Sequence, residues 1–135
     1  RDRETAEAVL SLAESGHLVF STLHTNSASR TINRFIGFFP PEIQAGVAER
    51  LAESLVGVQS QFLVKTADES TRVGLFEVML NTTSVKNNIK KREIAQLDNI
   101  IDSSSMIGMM SLARYTQKLV DSGIVARESV ERVFG

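Results

Sequence analysis

The run Gly16-His17-Leu18-Val19-Phe20-Ser21-Thr22-Leu23-His24-Thr25-Asn26 is rich in branched and aromatic residues without helical spacing, and it lies between a glycine and the polar cluster Thr25-Asn26-Ser27. Such a run reads as a buried strand over residues 17–23. In an open α/β sheet, ligands gather at the carboxyl ends of the strands, and His24 and Thr25 stand at that end. They offer an imidazole able to donate or accept a proton and a hydroxyl that does both. Spacing alone leaves a second reading of His24 open, as a structural histidine that hydrogen-bonds at a strand end.

The residues before this run fit the same architecture. Asp2 can cap a helix, Glu4 places negative charge in its first turn, and Ala6, Val9, Leu10 and Ala13 recur at i, i+3, i+4 and i+7 up to Gly16. A helix followed at once by a strand is the second half of a β-α-β crossover, which predicts a parallel sheet whose preceding strand lies before Arg1. The chain opens on Arg1-Asp2-Arg3 without a methionine, and the expectation is a piece of a longer protein.

After the polar turn, Ser27 or Ser29 can cap a helix through Phe38 that turns Ile32, Phe35 and Ile36 to the core. Pro40-Pro41 ends it, and Pro41 starts another helix striped by Ile43, Val47, Leu51 and Leu55, with Glu49, Arg50 and Glu53 on an expected solvated face. Strands over 59–65 and 72–80 around the polar loop 66–71 predict an antiparallel hairpin. Glu77 interrupts the second strand, and a solvent-facing position on an edge strand accounts for it as well as a functional role does. Beyond Asn81 the pattern is helical only, with stripes at Val85 and Ile89, at Ile94, Leu97 and Ile101, and from Met109 to Val120, then a short helix from Arg127 to Phe134. That shift predicts a division into residues 1–80 and 81–135.

Composition removes several classes of function. Fifteen basic and sixteen acidic residues among 135 leave a net charge of −1, which gives no general attraction to nucleic acid or an acidic membrane. The absence of cysteine excludes disulfides, thiolate zinc sites and a cysteine nucleophile. No apolar run approaches the roughly 20 residues that span a bilayer. The two histidines sit at opposite ends of one predicted strand, so no metal site is expected, and no Gly-x-Ser-x-Gly elbow marks a serine hydrolase. No Gly-x-x-x-x-Gly-Lys-Ser/Thr occurs, so the main phosphate cradle of any nucleotide site lies outside these residues. Lys86, Lys90, Lys91 and Arg92 form either an ordinary wet helix face or an edge that docks on an acidic partner.

Arg1-Asp2-x-Glu4-Thr5, followed by Ala13-Glu14-Ser15-Gly16-His17 through Asn26-Ser27-Ala28, resembles the Walker B exit and the His box of the secretion ATPase superfamily. Thr31-Ile32-Asn33-Arg34-Phe35-Ile36 before Phe39-Pro40, and Glu49-Arg50-Leu51-Ala52-Glu53-Ser54-Leu55, are similar to its following segments, in the branch of type IV pilus retraction ATPases of PilT type. Extension and type II secretion relatives commonly carry a four-cysteine zinc module after the His box, which this sequence lacks.

The resemblance implies an α/β fold: residues 1–80 as the C-terminal part of a RecA-like P-loop NTPase core with parallel sheet and antiparallel hairpin, and residues 81–135 as an all-helical subdomain. It implies a homo-hexameric cytoplasmic motor that uses ATP and Mg2+, held mainly by elements outside these residues, to power pilus retraction against an inner-membrane platform protein. Nucleic acid and membrane insertion have no part in it. His24 would sense the terminal phosphate, with Arg1 and Asp2 as further catalytic candidates just past the Walker B acid. His17, Thr22 and Thr25 would line the nucleotide site. Lys86, Asn87 and Lys90 stand where the family has Ala-Ile-Arg-Asn-Leu-Ile-Arg-Glu, and are the partner-binding candidates. Here Asn88 replaces the leucine and Lys91 the acid, and Gly37 stands where aspartate is usual, which admits a divergent paralogue. The reading from a different class is a non-catalytic assembly module docking through its basic helix.

Overall fold

The structure, a computed structural model, describes residues 2–134. Helix α1 (Arg3–Glu14) begins where Asp2 accepts a hydrogen bond from the Thr5 N–H at 2.9 Å and buries Ala6 and Leu10. It stops at Ser15, and Gly16 takes the left-handed φ of +93° that glycine tolerates best. Helix α2 (Ala28–Gly37) is capped by Ser27, whose side chain accepts from the Arg30 N–H, and buries Ala28, Ile32, Phe35 and Ile36. The helix expected from Pro41 divides into a 3-10 turn, Pro41–Ile43, and α3 (Gln44–Ser54), which buries Val47 and Leu51.

Strands β1 (Gly57–Lys65) and β2 (Arg72–Leu80) form the antiparallel hairpin, in register from Gly57 opposite Leu80 to Lys65 opposite Arg72. In its loop the Asp68 carboxylate accepts from the Thr66 hydroxyl and from the N–H and hydroxyl of Ser70, which lowers its pKa to about 2. Four helices follow: α4 (Thr83–Lys90), α5 (Gln96–Ser103), α6 (Leu112–Asp121) and α7 (Arg127–Phe134). Helix α6 starts at Leu112 rather than Met109, because Met110 exchanges both backbone hydrogen bonds with Val78, at 2.9 and 3.0 Å.

The expected strand over 17–23 is corrected by the structure. Among the described residues the sheet has two strands, and β1 and β2 pair with each other, so the segment forms no ladder and no regular element. Leu18 is 74% exposed and Phe20 89%, while Leu23 packs against the core. A strand has no regular structure of its own without a neighbour to take its N–H and C=O groups, and these residues supply no neighbour for it.

Two apolar clusters hold the chain together. The larger runs from Ala6 and Leu10 through Ile32, Leu51 and Met79 to Ile89, Leu97 and Met109. The smaller gathers Val64, Leu75, Leu119 and Val125. Each fully buried aliphatic side chain adds about 1.5–3 kcal/mol relative to exposure. Asn81 pins the hairpin's end to α3, donating to the carbonyls of Ala52 and Leu55 at 2.8 and 2.7 Å.

Candidate functional site

His24, Thr25, Asn26, Arg30 and Arg34 line one open concavity, of about 480 Å³, where the segment after α1 turns into α2. Local chemistry builds it. Thr31 gives its single hydroxyl proton to the Ser27 carbonyl at 2.8 Å, so in the 2.7 Å contact between the two threonine hydroxyls Thr25 is the donor. Asn26 Oδ1 accepts from Arg30 Nη1 at 2.9 Å, and Ser27 Oγ from the Arg30 N–H at 3.2 Å. The first N–H of α2, that of Ala28, donates to Glu77 Oε1 on β2 at 2.8 Å. Glu77 is 9% exposed and lies opposite the buried Ser60, so the expectation of a solvent-facing edge residue is corrected: the helix terminus gives the carboxylate an N–H and a favourable dipole.

His24 is exposed and faces this concavity. Arg30 and Arg34 form no ion pair among the described residues, and no acidic side chain lines the opening. Two guanidiniums and an imidazole suit an anionic group. The same donor set does not suit Mg2+, which needs oxygen ligands and usually a carboxylate; the nearby Glu77 is buried on a backbone N–H. Among the described residues no three His, Asp or Glu side chains gather as a metal site.

The other candidates from the sequence stand apart from this opening. His17 is exposed at the far end of the segment that joins α1 to α2; the Ser15 hydroxyl donates to the Leu12 carbonyl at 2.8 Å, which leaves His17 Nδ1 to donate to Ser15 Oγ at 2.9 Å. Thr22 is exposed and outside the concavity. Asp2 caps α1, and the Thr5 N–H holds its carboxyl below the usual range. Arg1 lies outside the described residues.

On α4, Lys86 reaches Glu53 of α3 at 3.0 Å and Lys90 pairs with the same carboxylate, while Asn87 faces solvent. The Glu53 pKa is lowered, first by Lys90 and then by Lys86, so this acid expected on a solvated face is an inter-helix clamp. Arg50, expected on the same face, bridges α3 to α1: it grips both oxygens of Glu14 at 2.7 and 2.9 Å and reaches Glu7 at 2.9 Å. Sequence reasoning missed Asn26, Arg30 and Arg34 as lining residues, and the role of Glu77. An acid inside an apolar strand was the available signal for the second.

Fold and site together define an α/β chain with a cationic turn, built around a histidine, that is suited to an anionic ligand. A sequence model of the family described as type II/IV secretion system protein matches residues 1–131. The chain is 41% identical over 129 residues to the type IV pilus retraction ATPase PilT of Pseudomonas aeruginosa, covering 96% of this chain and 37% of that protein. It is 38% identical over 132 residues to a twitching motility protein of Neisseria gonorrhoeae, covering 98% and 35%. The crystal structure of the pilus retraction motor PilT with bound ADP superposes with a TM-score of 0.83 at 35% identity, over 96% of this chain and 36% of that one. The chain belongs to the type II/IV secretion system protein family. It spans somewhat over a third of the length of these relatives.

Proposed function

We propose that these residues serve a motor that couples ATP hydrolysis to retraction of a type IV pilus, with His24 turned to the nucleotide's terminal phosphate. The supporting observation is the exposed His24 in a concavity with two arginines free of carboxylate partners, in a chain some 40% identical to a retraction ATPase. In this reading residues 1–80 complete a RecA-like core, where the unpaired segment 17–23 joins a parallel sheet, and residues 81–135 form a helical subdomain. The protein assembles as a homo-hexamer with ATP held between subunits; Mg2+ and the phosphate cradle belong to other parts of the protein. His17 and Thr22 set the strand that carries His24, Thr25 lines the site, and Arg1 and Asp2 continue from the acid that precedes them. Asn87, beside Lys86 and Lys90, offers an edge for an inner-membrane platform protein. No helix among the described residues is long and apolar enough to cross a membrane, which accords with a motor on the cytoplasmic side.

Loss or gain of a phosphate changes the charge that an imidazole faces, so a histidine there can report the state of the nucleotide. The test is His24→Ala in the full-length protein. Turnover of ATP should fall about 100-fold, the scale at which a positioned group contributes to a reaction, with nucleotide binding within about threefold of the parent. Undiminished turnover returns His24 to a structural role. The 135 residues alone should not hydrolyse ATP at a rate comparable to the whole protein.

A further inference from the structure

The geometry points to Glu77 as a positioning residue that fixes the His24 turn from outside, through the first N–H of α2. This inference rests on the reading of His24 given above. Three of the ties that shape the turn are local: Thr25 to Thr31, Asn26 to Arg30, and Ser27 to the Arg30 N–H. Such bonds keep the turn's shape but do not say where it sits on the body of the protein. Among the described residues, the Ala28 N–H to Glu77 Oε1 bond alone ties residues 24–31 to a distant element, across 49 positions of sequence.

The placement of Glu77 is costly unless that contact is made. On β2 the buried residues Leu75, Glu77 and Met79 alternate on the face turned inward. Leu75 belongs to the smaller apolar cluster and Met79 to the larger, so the carboxylate sits at the seam between them, with Ser60 directly across the hairpin. A carboxylate in such surroundings needs hydrogen bonds and a compensating charge. The N-terminus of α2 supplies an N–H and the positive end of its dipole, and Ala28 is wholly buried at the contact. The apolar stripe of Ile32, Phe35 and Ile36 holds the body of α2, while Glu77 holds its first turn, four residues from His24. Because the next residue, Val78, is bonded to Met110, the strand that presents Glu77 is itself anchored to the C-terminal helices.

The experiment uses the full-length protein and two substitutions that separate reach from charge. Glu77→Asp keeps the charge but withdraws the carboxylate by one methylene from the Ala28 N–H; kcat should fall about tenfold while KM for ATP changes less than about threefold. Glu77→Gln keeps an oxygen within reach, and its kcat should stay within about threefold of the parent. Each is also combined with His24→Ala. If Glu77 acts through His24, Glu77→Asp causes no further loss once the imidazole is gone, whereas independent effects multiply. A role in stability alone lowers the melting temperature without dividing kcat from KM and without this coupling.

The inference is overturned if Glu77→Asp leaves kcat unchanged, if Glu77→Gln is as slow as Glu77→Asp, or if the losses from Glu77→Asp and His24→Ala multiply. Should Glu77→Asp not fold, Glu77→Ala, which leaves the Ala28 N–H without its acceptor, takes its place: a loss of kcat that disappears in the His24→Ala background supports the inference, and parent-like kcat or a loss that multiplies with His24→Ala overturns it. If His24→Ala alone leaves turnover intact, the underlying reading fails, and that result is separate from every outcome in which His24 matters and Glu77 does not act through it.

Discussion

Two groups of positive charge lie on helices that both pack against α3, and their surroundings differ. On α4, Lys86 and Lys90 converge on Glu53, which lies between them and is drawn below the usual carboxylate range. On α2, Arg30 and Arg34 face an opening with His24 that no carboxylate of the described residues lines. In the sequence the α4 group stands out, because four cations crowd into seven positions from Lys86 to Arg92. Charge density along a chain does not reveal which charges are already answered. An internal acid ties two of the four, Lys86 and Lys90, into a clamp, while the sparse pair remains open to a ligand.

That contrast can be broken or sharpened by experiment. The largest effect after that of His24→Ala should come from the open group. Arg30→Ala with Arg34→Ala in the full-length protein should weaken nucleotide binding about tenfold, a loss that shrinks as salt rises, measured by titration at two ionic strengths. Unchanged affinity would mean that the concavity serves something other than an anion. A smaller change is expected for Thr25→Val, which removes the donor to Thr31: turnover should fall about threefold, on the scale of one neutral hydrogen bond.

The clamp should respond in stability rather than turnover. Lys86→Glu with Lys90→Glu sets three acids together and should lower the melting temperature at neutral pH, with the deficit narrowing as acid protonates them. If the same pair leaves capture of a platform protein intact, the edge at Asn87 is not a docking site. Smallest of all is the effect of Glu53→Gln. The folded-state pKa of Glu53 is lowered, so its contribution is fully present above the ordinary carboxylate pKa and is lost as pH falls through the folded value. Melting curves of parent and variant should differ at neutral pH and converge once the pH has fallen below the folded value of Glu53; Glu53 is exposed and its two lysines partly so, and salt should therefore also shrink the difference.

What could be read from the sequence was mainly local. Asp2 and Ser27 cap α1 and α2 because a cap needs a side chain within three residues of its N–H, and Gly16 marks a helix end through its positive φ. The hairpin was legible because its polar loop joins two runs that can pair with each other. Residues 17–23 have the same kind of composition but pair with no strand among the described residues, and composition carries no information about neighbours. The place of His24 at the end of an extended run, before a capped helix, was legible from the run and from Ser27. The contacts that frame it were not: Glu77 lies 49 positions from Ala28, and Lys86 lies 33 from Glu53, so tertiary packing decides both.

The bare segment after Gly16 has a consequence for handling the molecule. Leu18 and Phe20 project into water from a backbone whose polar groups lack a ladder, which is the condition under which chains add to one another edge to edge. Prepared by themselves at high concentration, these 135 residues should gather into sedimenting clusters. Phe20→Lys should disperse them, since a charged side chain there repels an incoming copy and leaves both apolar clusters untouched.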